Sequence, residues 1–534
     1  MTLLDKPTTD GTDLPDTPLG HFLMRIDGVG VDTDARFDIA SPSTEEIVAT
    51  VARGGVEHLD AAVDAARRSF ESGVWSQLPQ ADRAAIMRRI GERLNEDLDD
   101  FVEWEIAANG ATVRQATGFH VGYAAIHWDY FAELAGSYTF EEAGPTAKWP
   151  TLAQSYLRRE PIGVVGAITP WNFPLLLSMW KFGPALAAGN SVVVKPDEHT
   201  PLTMIRFAEL AEECGLPPGV LNVVTGQGET VGAALAAHPE IDKIAFTGST
   251  PVGRAIGRAA ADTVKRVTLE LGGKNPVLVL DDADLDVTVD GVLFGGLLYS
   301  GQICLSGSRL LVADAVHDAF VDRLVARARQ IVLGDPEDFD TDMGPVLSGE
   351  QHARILGFIE TGRRQGATIA LGGGVPRGEG FERGWWVEPT IFTDVDPSMT
   401  IYREEIFGPV LTVTRFRDDD EAVAMANDSE YGLTAAVWTT DKERALDVSR
   451  RIQSGTVWIN DHHMINYEVP FGGYKQSGNG RELGPSCLDA YTESKHIHLD
   501  LSEDIEKRAW SALLSQPADV ADSPPTTDDQ GAPR

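Results

Sequence analysis

Cys304 lies in Ser300-Gly301-Gln302-Ile303-Cys304-Leu305-Ser306-Gly307-Ser308, a run of small residues that lets a substrate approach the sulfur and lets backbone N–H groups point at it. The chemistry this permits is nucleophilic, a thiolate adding to an electrophilic carbon. A lone cysteine is more often an inert buried hydrophobe, and Cys214 and Cys487, without such a loop, fall in that class. Glu270 stands in Leu269-Glu270-Leu271-Gly272-Gly273-Lys274, at the tip of an apolar run, where desolvation raises a carboxyl toward the pKa of a general base. The simpler reading pairs it with Lys274. Asn172, in Pro170-Trp171-Asn172-Phe173-Pro174, offers an uncharged amide that can donate to an oxyanion, or is only a turn residue between prolines.

A second group of residues suits a nucleotide. Thr247-Gly248-Ser249-Thr250-Pro251-Val252-Gly253 is a Gly-bounded turn opening a helix, whose N–H groups and positive end favour phosphate. Gly226-Gln227-Gly228 followed by Gly232 is a weaker case, and neither matches the Gly-x-Gly-x-x-Gly fingerprint. In Lys195-Pro196-Asp197-Glu198-His199-Thr200-Pro201, Glu198 can accept two hydrogen bonds from a ribose diol, whereas a 2′-phosphate would meet like charge. A dinucleotide held there is NAD rather than NADP; an ordinary solvated ion pair is the alternative.

These residues need elements to hold them. The runs GVVGAI (163–168), SVVVK (191–195), VLNVV (220–224), KIAF (243–246) and RVTLEL (266–271) are short, β-branched and separated mostly by Ala-rich stretches of helical length. Such strands, buried on both faces, predict a parallel α/β sheet whose ligands sit beyond the strands' carboxyl ends, where the candidates above fall. Upstream, Leu59, Ala62, Val63 and Ala66, then Ile86, Ile90 and Leu94, predict amphipathic helices from Glu57 to about Ala108.

The 534 residues predict more than one domain. A formal net charge of −36 excludes polyanionic partners, nucleic acid and anionic lipid alike, while 43% hydrophobic content excludes a disordered acidic chain. The three separated cysteines give neither a disulfide framework nor metal-ligand spacing, so no metal is expected. With no basic-then-apolar leader and no run of about 18 apolar residues, the expected setting is soluble and cytoplasmic. Residues 1–19 and 515–534 are too poor in apolar side chains to order themselves.

In their order and spacing PWNFP (170–174), KPDEHTP (195–201), FTGST with Gly253, LELGGK (269–274), GQIC (301–304), EEIFGPV (404–410) and PFGGYKQSGNGRELG (470–484) together resemble the NAD(P)-dependent aldehyde dehydrogenase family, from roughly residue 35 to 500. The resemblance implies the α/β aldehyde dehydrogenase fold, a Rossmann-like parallel sheet domain, an α/β catalytic domain and a small β oligomerisation flap. Its boundaries would be 20–140 with 159–270 for the dinucleotide-binding domain, 271–483 for the catalytic domain and 141–158 with 484–500 for the flap. Tails would occupy 1–19 and 501–534. It makes Cys304 the nucleophile, Glu270 the general base, and Asn172 with the Cys304 N–H the oxyanion site. The positions matching cofactor contacts are Ile168, Trp171, Lys195, Glu198, Gly226, Ser249, Gly253, Leu271, Gln351, Glu405 and Phe407. Phe173, Leu177, Trp180, Ile303, Ile465 and Phe471 would line an aldehyde tunnel. The stretch from Asn460 to Glu468 resembles aminoaldehyde and betaine aldehyde members, in which an acidic residue can hold a cationic tail; Glu468 is that residue or equally a solvated loop residue. The implied reaction is NAD-dependent oxidation of a small aldehyde by a homodimer or homotetramer. Rivals of the same fold are a CoA-acylating semialdehyde dehydrogenase, which lacks the water-activating carboxylate, and a catalytically silent structural protein.

Overall fold

The computed structural model describes residues 17–149, 151–502, 510, 513 and 514. The five predicted runs form the strands Val164–Ile168, Ser191–Lys195, Leu221–Val223, Lys243–Thr247 and Arg266–Glu270, paired in parallel throughout. Every residue of the first four is buried, which is why the sequence shows continuous apolar runs and not alternation. Between them lie the crossover helices Pro174–Ala188, Leu202–Glu213 and Thr250–Ala261, the first buried along its whole length.

Across the sheet the strands run 266–270, 243–247, 164–168, 191–195, 221–223. The order therefore reverses beside Val164–Ile168, and the crevice at such a switch point is the expected ligand site. Three strands outside the predicted runs complete eight: Met24–Ile26 and Val29–Val31 at one edge, and Gly478–Asn479, antiparallel to Arg266–Glu270, at the other. That last strand brings a segment from two hundred residues downstream against Glu270.

The predicted helices are Val56–Ser72, Gln80–Glu96 and Leu98–Asn109. Leu59, Ala62, Val63, Ala66, Ile90 and Leu94 are buried as the periodicity requires, but Ile86 is half-buried and its neighbour Met87 faces the core. A second, seven-stranded sheet starts at Pro276–Val279, just past the end of the first. It runs 368–371, 390–393, 410–416, 309–313, 276–279, 434–438, 456–459, parallel except at its first pair.

The chain divides into two compact units. The larger takes the described residues up to Tyr138 and Pro161–Tyr491, so the boundary expected at 270/271 falls inside it as a change of sheet. The smaller takes Thr139–Glu160 and the described residues from Thr492 on. It holds a three-stranded sheet of Thr492–Asp500, Ala153–Pro161 and Glu141–Ala147. Two expectations change. Residues 484–491, expected in the flap, form a turn of the larger unit because Cys487, Leu488 and Tyr491 are buried there, with the Tyr491 carbonyl accepting from Asn190 Nδ2. Residues 17–19, expected in the tail, join the fold through Leu19 N–H, which donates to the Val48 carbonyl at 2.9 Å. Residues 1–16 and 515–534 lie outside the described residues. Among the described residues no helix is long and apolar enough to cross a membrane.

Candidate active site

The register of the first sheet lays the candidate residues in one row at the strand ends: Ile168 opposite Lys195 on one side and Phe246 on the other, then Thr247 opposite Glu270, then Glu270 opposite Gly478. Asn172 follows Ile168 by four residues and Ser249 follows Thr247 by two. Parallel pairing alone thus gathers side chains about a hundred residues apart.

Cys304 arrives from the second half of the chain on a strained turn. After helix Leu285–Leu297, Tyr299 (φ 48°), Ser300 (φ 54°) and Gly301 (φ 70°) are successively left-handed. Each non-glycine residue there costs on the order of 1–3 kcal/mol, so the surroundings must hold the turn. They do: Tyr299 Oη donates to the Asn109 carbonyl at 2.8 Å and Ser300 Oγ to the Gly344 carbonyl at 2.7 Å. Beyond the turn Asn275 Nδ2 donates to the carbonyls of Cys304 (2.8 Å) and Ser306 (3.0 Å). Asn172 Nδ2 donates one hydrogen to the Gln302 carbonyl at 2.9 Å and keeps its second.

Glu270 is buried and neither carboxyl oxygen has a hydrogen-bond partner. The expected pairing with Lys274 is absent: Lys274 Nζ is also buried without a partner. Burial first, and the neighbouring Glu482 charge second, push Glu270 well above the carboxylate range, while Lys181 and Arg481 oppose the rise. Lys181 and Glu482 form a buried ion pair of 2.6 and 2.9 Å. The Cys304 thiol is pushed up to about 12 by burial, then by Glu405 and Glu270. Glu405 accepts from the Gly273 N–H at 3.0 Å, and burial raises it to about 7. Burial thus raises the Cys304 thiol, Glu270 and Glu405 together.

Two connected clefts open over the strand ends. One, of about 650 Å³, is lined by Ile168, Trp171, Lys195, Glu198 and Ser249. The other, of about 290 Å³, shares Trp171 and Ser249 and adds Leu271, Gln351, Glu405, Phe407 and Cys304. Lys195 Nζ donates to Glu198 at 2.8 Å. Trp171 and Phe407 meet edge to face with ring centres 5.3 Å apart, and Arg354 donates to the Glu405 carbonyl at 2.7 Å. Gly253 and Gly226 lie behind the walls: Gly253 admits the Leu271 side chain, and Gly226 packs on Val231, while Gly228 and Gly232 of the same turn line the cleft. A dinucleotide fits these residues. The buried Thr247 Oγ1 has no partner, and Ser249 leaves the first turn of helix Thr250–Ala261 without a side-chain cap, so donors and an acceptor stand unused along the wall.

On the other side of Cys304 lies a narrow, almost wholly apolar pocket of about 50 Å³. All six expected tunnel residues, Phe173, Leu177, Trp180, Ile303, Ile465 and Phe471, line it. So do Phe119, Tyr123 and His463, which sequence reasoning missed because nothing local marks them. Glu468 is exposed and does not line the pocket, so the resemblance that gave it a cationic tail to hold is not matched by its position. Lys181 and Glu482 were missed too, although a lone lysine in the otherwise apolar run LLLSMWKFGPALAA was a legible sign of a buried partner.

Cys304 thus stands between an apolar pocket and a larger, partly polar cleft, and Asn172 also lines that cleft. The aldehyde dehydrogenase family model matches residues 30–497, and the chain belongs to that family. It is 44% identical over 476 residues to the betaine aldehyde dehydrogenase of Bacillus subtilis (strain 168), covering 89% of this chain and 96% of the relative. It is 44% identical over 463 residues to the mitochondrial aldehyde dehydrogenase of Homo sapiens, covering 86% and 88%. The crystal structure of Staphylococcus aureus betaine aldehyde dehydrogenase in complex with NAD+ is 42% identical, with a TM-score of 0.88 over 90% of this chain and 96% of that one.

Glu482→Gln removes the charge that raises Glu270 and frees Lys181 to lower it, so the acid limb of the pH–activity profile should move to lower pH. A limb that stays in place or moves up contradicts this account of Glu270. Gly301→Ala puts a Cβ against the Gly408 carbonyl in a left-handed residue; urea unfolding should show a loss of at least about 2 kcal/mol.

Proposed function

We propose that the protein oxidises an aldehyde to the carboxylic acid with NAD+, through a thiohemiacetal and then a thioester on Cys304. The observation that carries the reading is the position of Cys304, which lines both the nucleotide-sized cleft and the apolar pocket. Bound NAD+ supplies the hydride acceptor. The Cys304 thiol gives its proton up to solvent, and the resulting thiolate adds to the carbonyl carbon. The spare Asn172 N–H and the Cys304 backbone N–H hold the alkoxide that develops. When the adduct collapses, a thioester remains on Cys304. Glu270 as carboxylate then takes a proton from water, the water oxygen attacks the thioester carbonyl, and the acid leaves as the thiol is restored. Glu405 and Gln351 would hold the nicotinamide end of the cofactor, and Lys195 with Glu198 the adenosine ribose. The eight-stranded sheet is thus the dinucleotide-binding half and the seven-stranded one the catalytic half.

Glu270 supports hydrolysis over transfer to CoA, and the complete thiol, base and amide set argues against a silent structural protein. The apolar pocket suits a medium-sized aliphatic or aromatic aldehyde. A betaine aldehyde is a second reading, supported by the name of the B. subtilis relative and by the aromatic faces of Tyr123, Trp180 and Phe471, which attract a quaternary ammonium group. The three free cysteines fit a reducing cytoplasm. The strand Thr492–Asp500, exposed along most of its length with Ile497 and Leu499 outward, fits assembly with further copies.

Glu270→Gln should retain a rapid single-turnover burst of NADH while steady-state turnover falls by about 10²- to 10⁴-fold, and Cys304→Ala should remove both. Turnover that requires CoA and yields acyl-CoA, or Cys304→Ala activity near wild type, would overturn the reading. Glu198→Ser removes the charge facing a 2′-phosphate, so the ratio of kcat/KM with NADP to that with NAD should rise about tenfold or more. Comparing kcat/KM for hexanal, benzaldehyde and betaine aldehyde decides between the two substrate readings.

A further inference from the structure

Glu105 lies in helix Leu98–Asn109, is 1% exposed, and belongs to neither cleft nor pocket. Its carboxyl gathers polar partners from four parts of the chain. Oε1 accepts from the Leu175 N–H at 3.3 Å and Thr203 Oγ1 at 3.1 Å; Oε2 accepts from Asn109 Nδ2 at 2.7 Å and stands 3.4 Å from His120 Nδ1. Oε1 thus takes two donors and Oε2 one, with the His120 ring nitrogen beside it.

What it touches leads to both halves of the oxyanion site. Leu175 is in the first turn of helix Pro174–Ala188, whose N-cap residue Phe173 gives no side-chain cap, so Glu105 caps that helix from outside. Asn172 is the residue immediately before Phe173. The His120 ring lies against the Phe173 ring with centres 4.2 Å apart and meets the Tyr299 ring edge-on at 5.0 Å. Tyr299 belongs to the left-handed turn that presents Cys304 and is tied to the Asn109 carbonyl, while the Asn109 side chain is tied to Glu105.

We propose that Glu105, together with His120, is a positioning residue that holds the Asn172 amide and the Cys304 turn in register. It touches neither substrate nor cofactor and acts through the helix start on one side and Tyr299 on the other. The proposal rests on the reading of Asn172 as an oxyanion donor.

The test uses the full-length enzyme and two reactions that share Cys304 and the oxyanion donors: hydrolysis of p-nitrophenyl acetate without cofactor, and hexanal oxidation with NAD+. Glu105→Gln keeps the size of the side chain but sets an amide N–H₂ among donors. It should lower kcat in both reactions by about 10- to 100-fold, with KM and the NAD+ Kd within about threefold of wild type. Combined with Asn172→Ala the loss should be smaller than the product of the two single losses, because the two variants share the Asn172 donor. Thr203→Val, which removes a single donor to Oε1, should give a smaller loss of the same kind and carries the test if Glu105→Gln fails to fold. An unchanged kcat in the folded variants, losses that multiply with Asn172→Ala, or a loss confined to NAD+ binding would overturn the proposal. Asn172→Ala with normal kcat would instead overturn the oxyanion reading itself, and the proposal with it.

Discussion

The buried ion pair between Lys181 and Glu482 joins residues 301 positions apart, and the electrostatics of the site are set around it. Lys181 is the cation that opposes the rise of both the Glu270 carboxyl and the Cys304 thiol, and Glu482 is the anion that raises Glu270. Desolvation is the dominant cause at each group, so the dryness of the site is what lifts Glu270 above an ordinary carboxylate. A buried pair is not in itself a source of stability. Its value here is that its two charges act on Glu270 with opposite sign, which leaves the base adjustable.

The same dryness dictates the backbone. The Cys304 sulfur, which faces an apolar pocket and a polar cleft, follows the left-handed run Tyr299-Ser300-Gly301 that turns the chain there. The strain is held by hydrogen bonds from Tyr299, Ser300 and Asn275, donated to or by groups distant in sequence. Rigidity of this kind suits an oxyanion site, whose donors must be in place before charge develops.

A net charge of −36 opposes an anionic cofactor at long range. Locally, Lys195 and the uncapped start of helix Thr250–Ala261 line the cleft and act within a Debye length of about 8 Å, among the carboxyls of Asp197, Glu198 and Glu229. The three pairs of Arg444 with Asp281, Asp282 and Asp419 show where part of the acidity is spent, outside both clefts.

By itself the sequence determined the parallel strands from 163 to 271, because strands buried on both faces leave unbroken β-branched runs, and it determined the positions of Cys304, Glu270 and Asn172, because each sits in a short string tied to backbone geometry. It also marked the helices from Glu57, where periodicity is local. What it could not show was long-range pairing. That Lys274 leaves Glu270 alone, that Gly478–Asn479 closes the sheet beside it, that Gly226 stays behind the cleft wall, and that Glu105 and His120 meet Leu175 and Phe173 all depend on contacts between segments whose local patterns are unrelated. Only the tertiary structure decided these, because the burial that shifts a pKa or orphans a carboxyl is a property of everything packed around it and is written in no single segment.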